Sequence, residues 1–85
     1  MRKLIIDSNA AEDLFFWAKN DAKTLAKIFS LIENILRNPF EGLGKPEPLK
    51  NDLKGYWSRR INDADRLVYK ATNDHLIIIA CRFHY

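Results

Sequence analysis

Leu76-Ile77-Ile78-Ile79-Ala80-Cys81 is an unbroken apolar run. A short continuous run of this kind reads as a strand buried on both faces, central in its sheet. Asn73-Asp74 precedes it as a hairpin signal, and Arg66-Leu67-Val68-Tyr69-Lys70-Ala71 lies before that as a second strand. Further upstream, Asn62-Asp63-Ala64-Asp65 reads as a turn and Tyr56-Trp57-Ser58-Arg59-Arg60-Ile61 as another strand. The C-terminal part of the chain is therefore a β meander.

The N-terminal part is helical. Lys3-Leu4-Ile5-Ile6 is a short strand candidate, and Asp7-Ser8-Asn9 offers several N-caps, with Asn9 and Glu12 spaced like a capping box. Leu14, Phe15, Trp17 and Ala18 make one apolar face. Asn20-Asp21 interrupts it. A longer helix follows, with Leu25, Ile28, Phe29, Ile32, Ile35 and Leu36 as its apolar stripe. It ends at Asn38, because the residue before a proline avoids helical geometry. The order β-α-α-β-β-β predicts an α+β fold, with two helices packed on one face of a mostly antiparallel sheet.

Between these halves lies all the punctuation: every proline and every glycine falls between Pro39 and Gly55. Pro46 and Pro48 bracket Glu47 and fix φ on either side of it, which reads as a stiffened loop holding one carboxylate.

Composition narrows the function classes. At 85 residues, residues 1–85 read as one small domain. With 47% hydrophobic and 29% charged residues the chain is too apolar to be disordered. The sole cysteine, Cys81, excludes an intrachain disulfide framework, and His75 and His84 lack a third ligand, so no metal or other cofactor is expected. No apolar run is long enough to span a bilayer, and the Met1–Asp7 stretch is too short for a signal sequence. A cytoplasmic protein without a membrane partner is the expectation. Residues 1–44 hold six basic and six acidic side chains, whereas residues 45–85 hold eight basic and five acidic, so the whole net charge of +3 sits in the second half. That suggests contact with phosphate or with an acidic partner, although +3 is small for gripping RNA unaided.

Glu47, Lys50, Arg59, Arg60, Arg66, Arg82, His84 and Tyr85 are a carboxylate, a histidine, a tyrosine and five cations. RNA cleavage through its own 2′-hydroxyl needs that inventory: a base, an acid for the departing 5′-oxygen, and cations around the transition state.

Gly44-Lys45-Pro46-Glu47-Pro48-Leu49-Lys50, Gly55 with Trp57-Ser58-Arg59-Arg60-Ile61, Arg66-Leu67-Val68-Tyr69 and Cys81-Arg82-Phe83-His84-Tyr85 stand in that order. Together with Asn38-Pro39-Phe40-Glu41-Gly42 they resemble the YoeB toxins of the RelE-like superfamily over essentially the full length. The resemblance implies a microbial-ribonuclease-like fold and a ribosome-dependent mRNA endonuclease, cutting in the A site and neutralised by a YefM-type antitoxin. The partners implied are that antitoxin, the ribosome and mRNA, with a homodimer left open. By motif, Glu47 is the general base, and His84 is the general acid or positions the leaving group, with Tyr85 beside it. Arg66 stabilises the phosphate, and Lys50 and Arg60 bind phosphate or orient the RNA. Arg59 is expected to meet ribosomal RNA or pair on the surface, and Arg82 to support the site or an acidic antitoxin segment. One position departs from the pattern: Asp65 stands where the family usually has histidine, and could draw Arg66 away by pairing with it, face the other side of the strand or sit in the turn. Two other functions remain open: a non-nucleolytic toxin of the same superfamily resembling a gyrase inhibitor, and a module that binds RNA or an acidic partner without cutting.

Strand parity adds a constraint. With a strict Asn73-Asp74 loop, paired residues sum to 147, which puts Arg66 and His84 on opposite faces. A shared site needs a longer loop, a bulge, or a chain that leaves the sheet early.

Overall fold

The computed structural model describes residues 1–83; His84 and Tyr85, both expected in the site, lie outside the described residues. Strand β1 (Lys3–Ile6) leads into helix α1 (Ser8–Asn20). Asp7 is the N-cap, its carboxylate accepting from the Asn9 N–H at 3.1 Å, so the cap lies two residues before the Asn9–Glu12 box expected. Helix α2 (Ala22–Arg37) begins at once, capped by Asp21. That carboxylate accepts from the Thr24 N–H at 3.1 Å and the Thr24 hydroxyl at 2.7 Å, which holds its pKa below the ordinary value. Asn38 closes α2 in extended geometry, as the proline after it requires.

The buried stripe of α2 is Ile28, Leu31, Ile32 and Ile35, while Phe29 is 47% exposed. On α1, Ala10 and Trp17 are buried and Phe15 is 63% exposed. The apolar pattern places both phenylalanines inward, and the structure turns them out. A helix stripe in a domain this small is narrow, and each lies one position off its centre.

After α2 the chain crosses to the far edge of the sheet. There it forms β2 (Glu47–Pro48) and a single 3₁₀ turn (Asn51–Leu53). Strands β3 (Trp57–Arg60), β4 (Arg66–Ala71) and β5 (His75–Ala80) return as a meander. The sheet order is β1-β5-β4-β3-β2, with β1 parallel to β5 and every other pair antiparallel. Strand β5 is flanked on both sides, as its apolar run predicts. Its burial alternates, however: Leu76, Ile78 and Ala80 are buried, and the residues between them are half-buried. One face packs on the helices, where Trp17, Ile28, Leu31, Ile32 and Ile35 meet Leu67, Tyr69, Leu76 and Ile78.

Arg59 holds the helix exit to the sheet. It lies on the helix-facing side of β3 and is 0% exposed. This overturns its expected place among RNA-contacting or surface residues. Its Nε donates to the Tyr69 hydroxyl at 3.1 Å, one terminal nitrogen to Asn34 Oδ1 and the Leu43 carbonyl at 2.7 Å each, and the other to the carbonyls of Asn38 at 2.8 Å and Glu41 at 3.1 Å. All five guanidinium donors are thus satisfied. The Tyr69 hydroxyl donates to the Pro39 carbonyl at 2.6 Å, and burial raises the pKa of this phenol against the opposing pull of Arg59. Gly42, at φ +123°, passes so close that a Cβ would stand 2.2 Å from Asn34 Oδ1.

Arg59→Ala leaves the loop carbonyls and Asn34 without their donor in a buried site. It should cost about 3–5 kcal/mol and lower the melting temperature by at least about 12 °C. Arg60→Ala, beside it but on the exposed side, should shift melting by only a few degrees. Thermal unfolding of the two variants checks this; equal melting points would refute the role given to Arg59.

Candidate active site

The face of the sheet away from the helices carries Glu47, Arg60 and Arg66 of the polar residues singled out in the sequence. Glu47 pairs with Ser58, Ser58 with Val68, and Arg60 with Arg66. Because side chains alternate along a strand, Glu47, Ser58, Arg60, Arg66 and Val68 share one face, opposite to Trp57, Arg59, Leu67 and Tyr69. Glu47 lies two strands from Arg66 and two residues along, which separates their Cα atoms by roughly 12 Å.

Glu47 is held differently from the stiffened loop expected. The Leu49 N–H donates to the Tyr56 carbonyl at 2.9 Å and the Arg60 N–H to the Gly44 carbonyl, so the Gly44–Leu49 segment is laced along β3 as an edge strand. Pro48 is tolerated there because an edge strand has one unpaired side. The carboxylate is exposed and lines a shallow hollow of about 310 Å³ with Pro48, Leu49, Lys50, Asn51 and Leu53. Lys50 is exposed at the start of the 3₁₀ turn, on the same rim. A larger hollow, about 630 Å³, lies at the other end of the meander beside Arg2, Lys3 and His75, away from this group.

Arg60 and Arg66 stand directly opposite each other on the open face. Like charges in that relation repel, which favours an anion between or beside them. Arg60 pairs with Asp63, a side chain 95% exposed. Such a pair gives way readily to a better anion. Arg66 donates to the Asn62 carbonyl at 3.2 Å and is in no ion pair among the described residues. Asp65 does not draw it away: that carboxylate is turned to the backbone of Phe83.

The hairpin and the bulge fix the register of β4 with β5 as far as Ala80, while His84 lies outside the described residues. The Thr72 N–H donates to the His75 carbonyl at 2.9 Å, so the loop is the two residues Asn73 and Asp74. Pairs sum to 147 from Ala71↔Leu76 to Tyr69↔Ile78, then shift at a bulge to Val68↔Ala80, which sums to 148. Beyond the bulge, even-numbered residues share a face, which puts Arg66 with Ala80. The chain also leaves the sheet early, since β5 ends at Ala80, one residue before the apolar run does. Side chains take over from there. Asp13 accepts the Cys81 N–H at 2.9 Å, and the Trp17 indole donates to the Cys81 carbonyl at 2.8 Å.

Arg82 lies with its guanidinium 3.4 Å from the Phe16 ring centre and 4.5 Å from that of Phe83. These contacts tie it to α1 and the tail. Burial, with Asp13 and Asp65 adding to it, pushes the Cys81 thiol up to about 12, so this cysteine is no nucleophile. Among the described residues no group of three His, Cys, Asp or Glu is placed to hold a metal ion, and no helix is long and apolar enough to cross a membrane. Sequence reasoning missed Asn34 and the holding role of Arg59. A lone Asn within an apolar helix stripe was the available signal for the first.

Residues 6–85 match the family of YoeB-like toxins of bacterial type II toxin–antitoxin systems. Toxin YoeB of Streptomyces coelicolor is 53% identical over 83 residues, covering 98% of this chain and 99% of that one. A YoeB dimer from Staphylococcus aureus superposes with a TM-score of 0.92 at 44% identity, covering 99% and 98% of the two chains. The toxin in a YoeB-YefM complex from the same organism gives 0.89 at 42%, covering 100% and 99%. Matching sequence over nearly every residue and matching backbone over the whole sheet lead to one conclusion: this chain belongs to the YoeB-like toxins of bacterial type II toxin–antitoxin systems.

Proposed function

We propose that this toxin is a metal-independent endoribonuclease that cuts mRNA in the A site of the translating ribosome. The observation that carries the reading is the strand register that puts one carboxylate, Glu47, and two arginines, Arg60 and Arg66, on one face of the sheet. Glu47 takes the proton of the 2′-hydroxyl, and that oxygen attacks the adjacent phosphorus. Arg66, with Arg60 and Lys50, holds the non-bridging oxygens as negative charge builds on them. The bond to the 5′-oxygen breaks, and that oxygen gains a proton from His84, or from a donor that His84 orients, with Tyr85 beside it. The products are a 2′,3′-cyclic phosphate and a 5′-hydroxyl, so no water or metal enters the cleavage step.

The modest charge of +3 agrees with a ribosome that supplies most of the RNA-binding surface. A YefM-type antitoxin is the proposed neutralising partner, supported by the S. aureus complex, and a homodimer is supported by the S. aureus dimer. The cytoplasm, where translating ribosomes lie, is the proposed location.

Mapping transcript 5′ ends in a translating extract tests the reading. The wild-type toxin should produce new ends within codons, and an inhibitor of another kind should produce none. Glu47→Gln and His84→Gln should each reduce cleavage by about 10²-fold or more with little change in melting. Full activity of the Glu47→Gln variant would sink the base assignment.

Arg66→Lys should be strongly impaired although the charge is kept. A guanidinium grips two phosphate oxygens at once and an ammonium acts as a point charge. Cleavage equal to wild type in the same assay would reduce Arg66 to a general field.

A further inference from the structure

Position 65 carries an acid where the resemblance leads one to expect histidine, and the structure shows what the acid holds. Asp65 is 9% exposed. Its Oδ1 accepts the Phe83 N–H at 2.6 Å, and the next residue, Arg66, donates its own N–H to the Phe83 carbonyl at 2.9 Å. Two consecutive residues at the start of β4 thus grip both polar groups of one tail residue. Asp65 is itself rigid. Its carbonyl accepts from the Ile61 N–H at 3.0 Å, and Asn62 Oδ1 accepts from the Ala64 and Asp65 N–H groups at 2.8 Å each.

Phe83 sits at φ +70°, a conformation that a non-glycine residue keeps only when its surroundings impose it. Its ring does not impose it, being 61% exposed. Ladder pairing does not either, because β5 has ended at Ala80. What remains is the backbone clip, whose stronger half is charge-assisted.

We propose that Asp65 is a positioning residue: its carboxylate fixes the left-handed turn at Phe83 and so sets the direction in which the chain leaves that residue beside Arg66. Arg66 and the departure point of the tail are then referenced to adjacent residues, the last before β4 and the first of it. A shift in one carries the other with it. The catalytic consequence rests on the nuclease reading above; the clip can be measured without it.

The test compares wild type, Asp65→Ala and Asp65→Asn by amide hydrogen exchange and by cleavage on mRNA-programmed ribosomes. In the wild type the Phe83 amide should be protected by roughly tenfold or more over an open chain. Asp65→Ala should abolish that protection and lower kcat by about ten- to hundredfold at a KM within about twofold of wild type, since geometry is lost and binding surface is kept. Asp65→Asn keeps a neutral oxygen acceptor. It should speed Phe83 exchange by about threefold or more while cleaving within about threefold of wild type. Should the alanine variant not fold, the asparagine variant decides alone, and unchanged Phe83 exchange in it overturns the proposal. An unprotected Phe83 amide in the wild type, or an alanine variant with wild-type kcat, overturns it too. If Phe83 protection depends on Asp65 but the wild type cuts nothing, the clip stands and the nuclease reading falls.

Discussion

The buried guanidinium of Arg59 is the constraint on which the rest of the architecture depends. With no carboxylate partner among the described residues, a cation can lie at 0% exposure only if every N–H finds an oxygen. Three of those oxygens are main-chain carbonyls of the segment from Asn38 to Leu43. The charge therefore dictates the path of the chain between α2 and β2. That path delivers the Gly44–Leu49 segment to the edge of β3, where Glu47 comes to stand opposite Ser58. Neighbouring residues of β3 divide the labour: Arg59 faces the helices and organises, and Arg60 faces out toward Arg66.

Much of this was legible in the residues. The alternation of the meander, the proline that ends α2 and the apolar run of β5 each specify one element, and their order specifies the α+β class. The parallel pairing of β1 with β5 and the two-residue strand at Glu47–Pro48 were not legible. The first is a long-range choice that no local pattern encodes, and the second contains Pro48 and follows Pro46, where a strand is disfavoured. Phe15 and Phe29 misled because hydrophobicity alone does not say which side of a narrow stripe a residue takes.

The candidate site was readable in kind but not in arrangement. The resemblance named Glu47 and Arg66, and strand parity raised a conflict that a longer loop, a bulge or an early exit could relieve. The bulge and the early exit are present, at Val68/Tyr69 and after Ala80. Arg59 and Arg60 were both read as outward cations, and the face of β3 separates them. The contacts of Arg82 with the Phe16 and Phe83 rings were not legible, since no local pattern marks the pairing. Asp65 reads as a turn residue, and its partner lies 18 positions away at Phe83.

The parallel pair at the sheet's edge bears on how the molecule comes into being. Lys3 registers with His75 and Ile6 with Ile78, so the first strand made must wait for the last before it has any partner. Until then the apolar faces of α1 and α2 have no complete sheet to cover them. Contacts of such separation slow folding and make it cooperative, because the entropy of closing the loop is spent before the closing contact rewards it. Glu47 and Arg66 can be translated long before the frame that aligns them exists. A copy synthesised only as far as the end of β4 would hold both residues without the frame that aligns them.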